Sequence, residues 1–170
     1  MPFLRENDVA VKPDSGTLTP EAELRSYIDR LDPKNRKLLR SVRAAVRKRF
    51  PTANELAYDY ASHVVIAYSA TDRSVDSFLA IDGRTDGVRL YFMHGPQLPD
   101  PKRLLRGAGS QARFVPVEAA SRLAHPDVVA LIAAAVGKST VPLPSKGKGG
   151  LVIRLTAAKK RSQRKPTRTK

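Results

Sequence analysis

The chain has 170 residues, 41% of them hydrophobic, a formal net charge of +15 and no cysteine. That length fits one domain with extensions, while the lack of cysteine excludes disulfides and thiolate metal sites and agrees with a cytoplasmic protein. No apolar run approaches the roughly 20 residues that span a bilayer, so no membrane partner is expected; MPFLRENDVAVKPDSG also lacks the apolar stretch of a secretory signal.

Residues 1–17 read as a flexible arm. Regular structure is expected from TPEAELRSYIDRL, where Thr19 suits an N-cap, Pro20 the first helical position, and Glu21 and Glu23 the positive end of the helix dipole. Leu24, Tyr27, Ile28 and Leu31 then form one apolar stripe. A second helix opens the same way on Asp32 and Pro33, carries Leu39, Val42, Val46 and Phe50 on its apolar side, and stops before Pro51. Two helices so closely joined make a helical hairpin.

The period then changes. HVVIAYS (63–69), SVDSFLAI (74–81), VRLYFM (88–93) and QARFVPV (111–117) are short, rich in β-branched and aromatic residues, and bounded by turn signals. In VRLYFM, Val88, Leu90 and Phe92 alternate with Arg89, Tyr91 and Met93, which predicts a half-buried antiparallel strand. IDGRTDGV contains two Asp-Gly steps, so the second and third of these strands should form a hairpin. Pro116 has no amide to donate, which puts its strand at a sheet edge or the proline at the strand's end. The last helix is HPDVVALIAAAVG, started by Pro126, stopped by Gly137, with Val128, Leu131, Ile132 and Ala135 on its buried side.

The order αα–ββββ–α predicts an α+β fold: a helical hairpin, a four- to five-stranded antiparallel sheet covered by helices on one face, and a C-terminal helix. LVIRL (151–155) is the candidate fifth strand. The domain is expected to span 18–137, with 138–170 a basic, largely disordered tail. Of 31 Lys and Arg, 11 lie in 138–170 with no acid among them; the 20 others face all 16 acids, which leaves residues 1–137 at only +4. Lys159, Lys160, Arg161, Arg164, Lys165, Arg168 and Lys170 are the densest part. A run of this kind suits nucleic acid or another polyanion, bound without sequence preference because the tail carries no aromatic residue for stacking.

Chemical motifs are sparse. VGKST (136–140) ends like a phosphate-binding loop, but Ile132 stands where that loop needs glycine, and the motif closes a helix where the chemistry requires it to open one. RGAG (106–109) and GKGG (147–150) lack the strand-to-helix setting of a dinucleotide site. For RGAG the structural reading is that Asp100 caps, Pro101 begins, KRLLR makes one helical turn, and Gly107 ends it in a left-handed conformation. His63, His94 and His125 are too far apart in sequence for a motif-encoded zinc site, so no metal ligand is assigned. No catalytic nucleophile and no cofactor motif are identifiable.

Three stretches, ANELAYDYASHVVIAYSATDRSVDSFLAI, VRLYFMHGPQLPDPKRLLRGAGSQARFVPV and HPDVVALIAAAV, resemble the YdhG-like family, catalogued as a domain of unknown function (1801). The most specific part is L-Y-F-x-x-G-x-x-L-x-D-P-x-x-L-L-x-G-x-G, followed by Arg113; the likeness covers roughly residues 22–137. It implies a small α+β fold related in shape to frataxin-like folds, and some relatives are labelled iron chaperones. Within the stretch, His94 ends a strand and can face a pocket, and Arg106 and Arg113 with the amides near Gly107 and Gly109 can cradle a small anionic ligand. The expected function is a non-enzymatic binding module with a polyanion-binding tail. The alternatives are a frataxin-like iron-handling protein and, last, an enzyme with a pocket around His94, Tyr58 and Asp100.

Overall fold

The structure, a computed structural model, describes residues 18–156. Helix α1 (Pro20–Ile28) starts on Thr19, whose hydroxyl accepts the Ala22 amide, and α2 (Pro33–Arg49) starts on Asp32, whose carboxylate accepts the Asn35 amide. Both caps are the ones the sequence pattern predicts, and each is worth about 1 kcal/mol. The strands are β1 (Asn54–Asp59), β2 (Val64–Ser69), β3 (Ser77–Arg84), β4 (Gly87–Met93) and β5 (Ala112–Val117). Helix α3 (Pro126–Gly137) follows, capped by His125, and β6 (Leu151–Arg154) closes the described chain. Gly137 is the last helical residue and Lys138 takes the cap position.

The class is α+β with the expected helical hairpin, but the sheet has six strands and is mixed, in the order β5-β4-β3-β2-β1-β6. Strands β1 to β5 form an antiparallel meander; β6 returns to pair parallel with β1, with Val152 opposite Leu56 and Arg154 opposite Tyr58. Two strands therefore correct the expectation. NELAYD is poor in β-branched residues, so β1 escapes a propensity reading, yet all but Asn54 of it is buried. LVIR is the candidate strand at 151–155, but it pairs parallel where an antiparallel sheet was expected, and it puts part of the segment from 138 onward into the sheet, with Thr156 4% exposed. Gly149 makes this possible: a Cβ there would lie 1.8 Å from the Ala53 carbonyl oxygen, and its amide donates to Pro51.

The β3–β4 hairpin forms as predicted, but only one Asp-Gly step turns it. Arg84 pairs with Gly87 across the loop, while Asp82 and Gly83 lie within β3. Asn35 of α2 donates to the carbonyls of Arg84 and Thr85 and ties the hairpin to the helices. Pro116 does sit on an edge strand, β5.

All three helices pack on one face of the sheet. Leu24, Ile28, Leu39, Val42, Val46, Leu131 and Ile132 form one core with Ala57, Ile66, Leu79, Ile81, Leu90 and Val115. Gly83 is where α2 comes nearest, since a Cβ there would meet Leu39 at 2.6 Å. The opposite face holds a smaller cluster of Leu56, Tyr58, Val65, Ala67, Ala80 and Ala112, also buried, with Tyr60, Tyr91, Met93 and Val152 against it. Among the described residues no helix is long and apolar enough to cross a membrane.

Candidate functional site

The stretch from His94 to Arg113 is occupied with its own construction. His94 takes a left-handed conformation (φ 55°) and starts a short 3-10 turn at Gly95–Gln97. Gly95 lies so close to Arg113 that a Cβ would meet the Arg113 nitrogen at 2.5 Å. Asp100 accepts the amides of Leu104 and Leu105, each at 2.8 Å, and so ties the loop together without capping a helix. The helical turn expected from KRLLR does not form: Arg103 is left-handed (φ 53°), and Arg106 makes a two-way backbone bridge to Phe114 at 2.8 and 3.0 Å. That bridge, closed outside any helix, uses the donors and acceptors a helical turn would need. Gly107 does adopt positive φ, 102°, over the Phe114 ring.

Bridged partners share a face and neighbours alternate, so Arg106 goes with Phe114, while the Arg113 side chain runs past Gly107, its Cδ 4.0 Å from where a Cβ would stand there. His94, Arg106, Gly107 and Gly109 are all exposed. His94 follows the end of β4 beyond Met93, whereas Tyr58 lies level with Val65, Asp82 and Arg89, four residues back from that end, and both Asp100 oxygens are committed to backbone. The three residues of the enzyme reading are therefore not brought together. Among the described residues no group of three or more His, Cys, Asp or Glu stands as a metal site, and the iron reading has no ligand set there. Lys159, Lys160, Arg161, Arg164, Lys165, Arg168 and Lys170 lie outside the described residues.

The unusual chemistry is on the sheet face away from the helices. Register places Arg154, Tyr58, Val65, Asp82 and Arg89 in one row across β6, β1, β2, β3 and β4. Asp82 is 0% exposed, and neither of its carboxylate oxygens has a hydrogen-bond partner. Its nearest cation is Arg84, whose Nη1 stands 3.6 Å away, and Arg89 lies directly across the ladder. Arg89 in turn donates to Asp86 at 2.6 Å and covers the Phe114 ring at 4.8 Å. Burial pushes the Asp82 carboxyl up to about 6, against the pull of Arg84 and Arg89.

His63 adds a second perturbed group on this face. It stacks on Tyr60 at 4.9 Å, Tyr60 stacks on Tyr58 at 6.0 Å, and the Ser62 hydroxyl holds its Nδ1 at 3.0 Å. Its Nε2 is buried without a partner, as is Nε of Arg154. Burial, then Arg84 and Arg89, push His63 down to about 4, so the ring is neutral near pH 7. The patch thus offers an ionised but unbonded carboxylate, a neutral imidazole, and guanidinium groups at its rim. Arg84 and Arg89 reach solvent, with side chains 21% and 25% exposed.

None of this was visible in the residue pattern. Asp82 stood in an Asp-Gly pair and read as turn chemistry; the missed signal was the apolar flank FLAI before it, which carries β3 through the pair. No protein-family model, curated protein sequence or solved structure matches the chain, so its chemistry rests on these residues alone.

Proposed function

We propose that this protein is a non-enzymatic binding module whose small-ligand site is the Asp82 patch, with polyanion binding as its second activity through the basic C-terminal run. The observation that carries the site is the unbonded Asp82 carboxylate, 0% exposed. More than nine-tenths of buried polar groups in folded proteins are hydrogen-bonded, and an unpaired buried group costs about 1–3 kcal/mol, more when charged. A carboxylate held in that state, on the same sheet face as a buried His63 nitrogen also without a partner, matches a molecule that brings N–H donors. Arg84 and Arg89 mark the side of approach and favour a ligand that also carries an acceptor or anionic group. Perturbed titratable groups collected in one place support a functional rather than a packing role. We also propose kinship with the YdhG-like family, on the run from Leu90 to Gly109.

The test uses benzamidine, whose amidinium presents paired N–H donors, and L-arginine, which adds a carboxylate. Either should raise the melting temperature of the full chain in a saturable way and shift the backbone resonances of β3 and β4, and Asp82→Asn should abolish both effects. If neither probe distinguishes the native chain from Asp82→Asn, the small-ligand reading is wrong.

A further inference from the structure

We infer that the outer side of α2 is a docking surface for the phosphate backbone of double-stranded nucleic acid. The inference deepens the polyanion activity proposed above and places part of it in the ordered body.

Helix α2, PKNRKLLRSVRAAVRKR, carries eight Lys and Arg and not one acid. Asn35, Leu39, Val42 and Val46 face the core. The cations divide by side. Arg36, Arg40, Arg43 and Arg47 are answered by Asp29, Glu21 and Glu55. The side chains of Lys34, Lys37 and Lys48 make no ion pair or hydrogen bond among the described residues, and all three residues are exposed; the eighth cation, Arg49, lies against the Phe50 ring at 5.8 Å. They fall with Ser41 and Ala44 at i, i+3, i+7, i+10 and i+14, which is a single straight stripe on the side away from the core, exposed at all five positions.

At 1.5 Å per residue that stripe is about 21 Å long. A duplex carries one phosphate per strand for about every 3.4 Å of its axis, so a stripe of that length lets the three lysines meet separate phosphates. Ser41 and Ala44 keep its middle low, and the Ser41 hydroxyl is turned back onto the Lys37 carbonyl at 3.0 Å.

The stripe's composition separates the possible polyanions. A protein partner needs a buried aromatic or apolar anchor, and stable seating on a lipid surface takes an apolar side chain or acyl chain in addition to basic charge. The only large hydrophobic side chains exposed among the described residues are Leu18 and Val75, neither of them on α2. Point-like lysine charges without an apolar anchor suit phosphates. Nor does the stripe carry Arg, Asn or Gln for reading base edges, so binding is indifferent to sequence.

The experiment titrates a fluorescent duplex DNA with three full-length proteins across a salt series. These are the native chain, Lys34→Gln/Lys37→Gln/Lys48→Gln, and a variant with the seven cations from Lys159 to Lys170 replaced by Gln. Each lost phosphate contact removes about 0.9 from the log–log salt slope, so the α2 variant should bind more weakly and lose about 2 to 3 from it. The C-terminal variant should keep a salt-dependent component that the α2 changes abolish. The three lysines are exposed and unpaired, so circular dichroism and melting should be unaltered. If the α2 variant keeps the native affinity and slope, the docking surface is disproved and the C-terminal run acts alone. If the native chain binds no duplex, the polyanion reading fails as well. Equal binding of polyglutamate would overturn the choice of nucleic acid.

Discussion

The two faces of the sheet treat buried charge in opposite ways. On the helix face, Glu55 is 4% exposed and fully answered: Arg43 Nε and Nη2 donate to it at 2.9 and 2.7 Å, and the Tyr68 hydroxyl adds a third bond at 3.1 Å. Arg43 also grips Glu21 with two bonds, which holds the Glu21 carboxyl below its usual range. Asp59, 5% exposed on the same face, takes the Arg30 guanidinium and the Ala61 amide. On the other face Asp82 is more deeply buried than either and has no hydrogen bond. The difference teaches where stability ends and function begins. Hydrogen-bonded buried charge fastens the helical hairpin to the sheet; buried charge without hydrogen bonds is a standing cost that packing elsewhere must offset.

The largest expected effect comes from breaking the satisfied face. Arg43→Ala leaves buried Glu55 with only the Tyr68 hydroxyl and Arg47 at 3.7 Å, and should cost about 3 kcal/mol, read as a lower urea midpoint. The unsatisfied face should respond with the opposite sign. Asp82→Asn removes a buried charge that makes no hydrogen bond and has only the Arg84 guanidinium at 3.6 Å as an ion-pair partner, and should raise stability at pH 7 by about 1–2 kcal/mol in the same assay, part of the gain being lost because the amide is also unbonded. A drop of similar size would mean that Arg84 satisfies the carboxylate and would erase the contrast.

Titration sharpens the comparison further. The folded Asp82 pKa is raised from 3.8 to about 6, so between those values the native state holds the extra proton, and stability falls as pH rises through about 4 to 6. His63 is lowered from 6.5 to about 4, so there the unfolded state holds the extra proton, and stability rises with pH through about 4 to 6.5. The two contributions oppose each other in one window. Urea midpoints measured from pH 4 to 7 should therefore climb with pH in Asp82→Asn, fall between about 4 and 6 in His63→Gln, and vary less in the native chain than in either. Parallel curves for all three proteins would refute the assignment of these groups to opposite shifts.

The smallest effects belong to the glycine-rich stretch. Asp100→Ala frees the amides of Leu104 and Leu105 and should cost about 1 kcal/mol. Arg106→Ala keeps the backbone bridge to Phe114, changes only an exposed side chain, and should stay within about 0.5 kcal/mol of the native chain. Equal losses from the two variants would show that the Arg106 side chain supports the loop as much as the Asp100 bonds do.

What could be read locally was read correctly where local chemistry decides. Thr19, Asp32 and His125 cap their helices because each cap bonds an amide only two or three residues ahead. The β4 alternation holds because period two is a property of the strand itself. The basic balance of α2 was also present in the residues, but it vanished into an average: the acids of α1 and β1 cancel it in the sum while neutralising only one of its sides.

The α+β class, the three helices and the β2–β5 strands were thus determined by the sequence itself, through caps, periods and turn residues that act over a few positions. Tertiary structure alone decided the rest. Strand β1 gains its conformation from β2 and β6 on either side, not from propensity. β6 pairs parallel with a strand about 100 residues earlier in the chain, held by Gly150 bonds to Asn54 and Glu55 that no local pattern announces. Asp82 is an ordinary Asp-Gly residue until the sheet closes over it. Its burial, its missing partners and its raised pKa are sums over neighbours from other strands, and a charge's environment is a property of the space around it rather than of its place in the chain.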